Sequence, residues 1–203
     1  MSDAMKQLQK RVGVVVDGAF GPNTARAIAK HYGLSPNRAA HLLGQASHES
    51  GGFKLTRENL NYSAETMCRV WPSRFKTVEE AMPYAHSPKA LADKVYSNRM
   101  GNGDGEGHVW IGRGFLQLTG KDNYKAFAAD MRVPEIMQDP SLLETEYAME
   151  TAMWFFDKNG LWGIADEGVN ESTIKRITKR VNGGYVGLDH RLHETKKIHG
   201  WLA

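Results

Sequence analysis

One cysteine, Cys68, is all the thiol chemistry this chain has in 203 residues. A lone cysteine closes no intramolecular disulfide and makes no cysteine cluster for zinc, so a buried, inert thiol is expected. Long apolar runs are missing too. The richest stretch is "AMWFF", Ala152 to Phe156, far short of the roughly 18–20 residues a membrane span needs. The opening "MSDAMKQLQKRVG" has no apolar centre of a secretory leader, which points to synthesis in the cytoplasm without stable membrane insertion. No repeat, linker or low-complexity block divides the chain.

A large excess of one charge is missing as well: 26 Lys and Arg stand against 23 Asp and Glu, a net charge of +3. A mild positive balance suits an anionic polymer without choosing one. The run "IKRITKR", Ile174 to Arg180, fits either such a polymer or a solvated helix face. No nucleic-acid module accompanies it, so a nucleic-acid partner is not expected. Among eight histidines, His190 and His193 are spaced i, i+3, yet no HExxH motif or third ligand joins them, which argues against a metal site. The glycine-rich "GNGDGEG", Gly101 to Gly107, lacks the Lys-Ser/Thr of a phosphate loop. No cofactor is expected.

What is present is helix punctuation. Ser35-Pro36 is an N-cap followed by proline at the first helical position. Ala39, Leu42, Leu43 and Ala46 follow at helical spacing, and Gly51-Gly52 closes the segment. Ser63 opens a helix that Pro72 stops, and Thr77 with Glu80 forms a capping box. Ser87-Pro88 starts another, running to Gly101. Helices are predicted over Gly120–Met131, Leu143–Lys158, Glu171–Val181 and from Leu188 onward. "FLQLT", Phe115 to Thr119, alternates apolar and polar residues and predicts a short extended segment or hairpin. Its Gln117 and Thr119 would then face one side. The fold class expected is mainly α with a small β-hairpin element.

Two glutamates stand nine positions apart. Glu49 follows Leu42 by almost two helical turns and shares its apolar face. Desolvation there, and the negative end of the helix dipole, should favour the neutral carboxyl that a general acid needs. Glu58 lies in a polar stretch beside Arg57 and should stay ionised. Two carboxyls with separated pKa values are the working pair of a glycosidase. A solvated helix-end residue and an incidental loop residue would give the same spacing. Were both in one helix, they would be about 13.5 Å apart axially; the glycine pair lets the chain fold back and shorten that distance.

The ordered motifs "HESGGF", "ENLNYSA", "KVYSNRMGNG", "GRGFLQLTG" followed by "NY", and "VNGG" resemble glycoside hydrolase family 19, nearest its bacteriophage endolysin branch. The resemblance covers residues 36–203. It implies a lysozyme-like, two-lobed helical domain that hydrolyses β-1,4-linked amino-sugar polymers with inversion. It assigns Glu49 as general acid, Glu58 as general base and Thr119 as the hydroxyl positioning water. It places Gln117 and Asn182 at sugar contacts, with Tyr124, Arg113 and Arg191 as further substrate-binding candidates. Read locally, the alternatives are an ordinary strand threonine for Thr119, a helix cap for Asn182 and a salt-bridge residue for Arg113; Asp104 and Glu106 are alternative bases. Ile111 stands where relatives carry an arginine, leaving one possible contact open.

"LQKRVGVVVDGAFGPNTARAIAKHYG" resembles half of a peptidoglycan-binding domain 1 motif. The expected organisation is therefore residues 1–34 as a partial wall-binding-like segment packed on a catalytic domain, 35–203. The function expected is a monomeric endolysin that hydrolyses bacterial peptidoglycan at MurNAc–GlcNAc bonds. It would be made in the host cytoplasm and act on the wall after release through a holin-type pore. A chitinase and a non-catalytic wall-binding protein remain alternatives.

Overall fold

The computed structural model describes residues 3–203. Among them the α-helices, in chain order, are α1 (Asp3–Val12), α2 (Pro22–His31), α3 (Pro36–Glu49), α4 (Ala64–Val70), α5 (Val78–Ala81), α6 (Pro88–Tyr96), α7 (Lys121–Met131), α8 (Ala148–Lys158), α9 (Leu161–Asp166), α10 (Glu171–Asn182) and α11 (Leu188–Leu202). The chain divides into two compact units. One takes the sequence up to Thr56, Gly114–Gln117 and Leu142–Ala203; the other takes Arg57–Arg113 and Leu118–Ser141.

The first unit is built on α3, which carries a buried apolar stripe into a core with Met5 and Leu8 of α1, Ile28 of α2, Phe156 of α8, Ile177 of α10 and Ile198 of α11. Ser35 caps α3 by accepting from the Arg38 amide at 3.3 Å. Helices α3 and α11 approach so closely that a Cβ on Gly44 would stand 2.2 Å from Thr195 Oγ1 and 2.9 Å from Thr195 Cα. Glycine is required here by contact, not by turn geometry. The N-terminal helices share this core and are joined to it by polar bonds. Arg11 pairs with Glu150 of α8, and the Tyr32 hydroxyl donates to Glu150 Oε1 at 2.7 Å.

The second unit has its own core of Leu60, Met67, Phe75, Leu91, Val95 and Ile111. Ser63 caps α4 through the Thr66 amide. Thr77 accepts from the Glu80 amide, whereas the Glu80 carboxylate reaches the Lys76 amide at 2.8 Å, so the predicted capping box is shifted by one residue at its return bond. Cys68 is half-buried, not fully enclosed.

Three elements differ from expectation. The helix expected from Leu143 starts at Ala148; before it Pro140–Glu144 forms a 3-10 helix, tied off by the Tyr147 amide donating to the Leu142 carbonyl at 2.9 Å. The helix expected to run to Gly101 stops at Tyr96, beyond which Asn98 and Met100 adopt positive φ. The hairpin contracts to isolated antiparallel bridges, Arg57 with Arg113 and Arg113 with Leu118. Gly114–Gln117 between them is a turn, so Gln117 and Thr119 do not alternate along one extended face. Helix α9 escaped the sequence reading because Gly160, at φ 62°, closes α8 and immediately precedes α9.

Candidate active site

Glu49 is the last residue of α3, and the chain leaves it through Gly51 and Gly52 at φ 58° and 75°. Its carboxylate Oε1 accepts from Arg191 Nη2 at 2.5 Å. Arg191, on α11, is 1% exposed. The same guanidinium donates through Nη1 to Gln45 Oε1 at 2.6 Å and through Nε to the Val186 carbonyl at 3.2 Å. Gln45 in turn donates to Thr178 of α10 at 3.1 Å. A buried arginine is held only when its donors find acceptors; α3 supplies Gln45 and Glu49, the 183–187 loop supplies the Val186 carbonyl, and Thr178 of α10 holds Gln45 in place. The apolar seat expected from the α3 pattern thus contains a guanidinium. One carboxylate oxygen is fixed, while the side chain as a whole stays 29% exposed. Glu49 also lines a cavity of about 240 Å³ with Leu116, Gln117, Phe155 and Val181. The structure therefore brings Glu49, Gln117 and Arg191 together, and places exposed Asn182 next to Val181 at the end of α10. Asn182 is not the cap of that helix; left-handed Gly183 is.

His48 was missed by sequence reasoning. Its Nδ1 lies 3.1 Å from His190 Nδ1, and a Cβ on Gly187 would meet its ring at 2.1 Å. Burial, then the Arg191 cation, hold the His48 pKa below its ordinary value, and the neighbouring His190 adds to this. No sequence signal joined residues 142 positions apart.

In the second unit Glu58 is anchored twice to one glycine: its amide donates to the Gly112 carbonyl at 2.9 Å, and its Oε1 accepts from the Gly112 amide at 2.6 Å. Its Oε2 accepts from the Tyr96 hydroxyl at 2.9 Å. Burial first, then the Glu58 charge, push the Tyr96 pKa far up, so this hydroxyl remains a donor. Glu58 borders a cavity of about 430 Å³ with Arg57, Leu60, Lys89, His108 and Ile111 among its walls. Thr119 follows Leu118, which is bridged to Arg113, itself bridged to Arg57. Three short segments thus run side by side and place Thr119 and Glu58 one residue beyond the bridges.

Arg113 and Tyr124, expected at sugar, are 6% and 0% exposed. Arg113 donates to the Val109 carbonyl at 2.7 Å and to the Tyr124 hydroxyl at 3.0 Å, and that hydroxyl donates to the Ile111 carbonyl at 2.7 Å. The structure gives both a scaffold position instead, under the segment that carries Gly112. Of the alternative bases, Glu106 is taken by Lys121 at 2.8 Å and by the Gly103 amide at 2.7 Å. Asp104 meets Asn98 at 3.5 Å. Among the described residues no group of three or more His, Cys, Asp or Glu could hold a metal ion.

No family model matches the chain. A glycosyl hydrolase family 19 domain-containing protein of Haemophilus influenzae is 35% identical over 155 residues, 75% of this chain and 74% of the relative. The chain belongs to glycosyl hydrolase family 19. Among solved structures, chitinase C from Streptomyces griseus matches with a TM-score of 0.51 and 18% identity, over 98% of this chain and 67% of that one. At that identity the likeness concerns the fold alone: mainly helical and chitinase-like. The family 19 protein is thus a glycoside hydrolase.

Proposed function

We propose that this family 19 glycoside hydrolase is an endolysin that cuts the β-1,4 bonds of bacterial peptidoglycan with inversion. The observation carrying the reading is Glu49, fixed at a helix end by buried Arg191 on the wall of a cavity shared with Gln117. With Oε1 held, Oε2 is the oxygen that carries the proton to the glycosidic oxygen. Glu58 takes the proton of a water, and the Thr119 hydroxyl, a donor and acceptor, orients that water. Inversion requires the two carboxyls about 6.5–9.5 Å apart during reaction. Gln117 and Asn182 contact sugar, and Arg191 acts on substrate through Glu49. Residues 1–34 derive from a wall-binding segment and are packed onto the catalytic domain. The protein works as a monomer, made in a host cytoplasm and reaching the wall through a holin-type pore.

Glu49→Gln tests the assignment. Hydrolysis of purified peptidoglycan should fall by about 10²–10⁴-fold while sedimentation with intact walls persists; unchanged turnover would remove Glu49 from the mechanism. Reducing-end analysis of wild-type digests identifies the bond cut. A chitinase, the activity named for the Streptomyces neighbour, is the second reading; faster turnover of chitin oligomers than of peptidoglycan would favour it.

A further inference from the structure

The charges of "IKRITKR" have a definite place in the fold. Helix α10 buries Thr173, Ile174, Ile177 and Thr178. Opposite them Glu171, Lys175, Lys179 and Asn182 follow at steps of four, four and three, which puts them in one exposed stripe. Lys175 pairs with Glu171 at 2.6 Å, and Arg176 with Glu167. Lys179 and Arg180 form no ion pair among the described residues. Tyr185, 53% exposed on the loop after α10, borders a surface cavity of about 560 Å³ together with Glu171, Ser172, Lys175, Arg176 and Lys179. Cations at a helix C-terminus gain from the dipole, but that does not explain an exposed tyrosine beside them or a cavity along two further turns.

We propose that this stripe binds the carboxylates of peptidoglycan peptide stems while the glycan lies at Asn182. The inference rests on the peptidoglycan reading and adds to it a reason for preferring a peptide-bearing, acidic polymer over a neutral one. The dimensions agree. Lys179 and Lys175 lie about 4.5 and 10.5 Å from Asn182 along the helix axis, from the rise per residue. A stem of four extended residues reaches about 13 Å. Tyr185 offers a ring edge and a hydroxyl beside the path.

The test uses the full chain with Lys175 and Lys179 both changed to glutamine, substitutions on an exposed face that leave the core untouched. Substrates are purified peptidoglycan free of other wall polymers and the same glycan strands stripped of stems by an amidase. Wild type should turn over the stem-bearing material faster, by about tenfold at low salt, with the advantage shrinking as salt rises. The double variant should lose that advantage and match wild type on stripped strands. Equal loss on both substrates, or no loss on either, overturns the stripe as a stem site while leaving the hydrolase assignment standing. If wild type cuts neither but cuts chitin oligomers, the peptidoglycan reading itself falls and the inference with it.

Discussion

At the scale of residues, the candidate site works by holding carboxylate oxygens with donors that cannot leave. Tyr96 is the clearest case. Its hydroxyl is kept protonated by burial and by Glu58, and it donates to Glu58 Oε2 at 2.9 Å. Tyr96→Phe removes one of two donors without changing the ring's packing. A hydrogen bond to a charged group contributes about 1.5–3 kcal/mol, so the melting temperature should drop. In addition kcat should fall about tenfold with KM nearly constant, because the proposed base, Glu58, loses its orientation rather than the substrate its contacts. A variant with wild-type kcat would show that Gly112 alone positions Glu58. Glu49 and Glu58 were both readable in the sequence because "HESGGF" and "ENLNYSA" are local. The family resemblance makes Arg191 a substrate-binding candidate, but its bonds to Glu49 and Gln45 join residues more than 140 positions apart, and no periodicity encodes that.

Elements tell the same story through their contacts. Most helix starts followed from Ser, Thr and Pro, since capping is settled within four residues. Where the ends depended on packing, expectation failed: α8 begins after a 3-10 helix, and the hairpin is reduced to single bridges on either side of Arg113. Gly44 reverses a local rule. In mid-helix, alanine is favoured over glycine by about 1 kcal/mol, yet a Cβ there would overlap Thr195 side chain and backbone. Gly44→Ala should therefore destabilise by about 1–3 kcal/mol, the usual cost of overpacking. For a chain of this length each kcal/mol lowers the melting temperature by about 2–4 °C. A melt at or above the wild-type temperature would mean that α11 yields freely.

Over the whole molecule, pH acts through groups spread across both units. His41 is held below its ordinary pKa by burial, outweighing its bond to the Gly168 carbonyl, and His48 by burial and Arg191. For a histidine with a depressed folded pKa, the unfolded chain binds more protons, so stability rises with pH. The contribution is complete above the unfolded value of about 6.5 and is lost as pH falls from there toward the folded value. Asp93 and Glu194 form a second step. In both, burial raises the pKa but is outweighed, by His108 for Asp93 and by Lys197 for Glu194, so each ends below its usual range. Their contribution is present above about pH 4–4.5 and disappears as pH falls through the lower folded values. Thermal melts between pH 8 and 3 should show two declines. Replacing His41 and His48 by asparagine should abolish the upper one; a flat wild-type melting temperature between pH 7 and 5 would refute it.

By itself the sequence determined the helical class, the capped starts of α3, α4 and α5, the candidate pair of glutamates and the family, because each is written in residues close along the chain. Tertiary structure alone decided that a buried guanidinium grips Glu49, that Gly112 and Tyr96 grip Glu58, and that Arg113 and Tyr124 support the scaffold. Those partners are brought together by packing of helices distant in sequence, where burial forces every donor and acceptor to find a match and local pattern carries no record of which match is made.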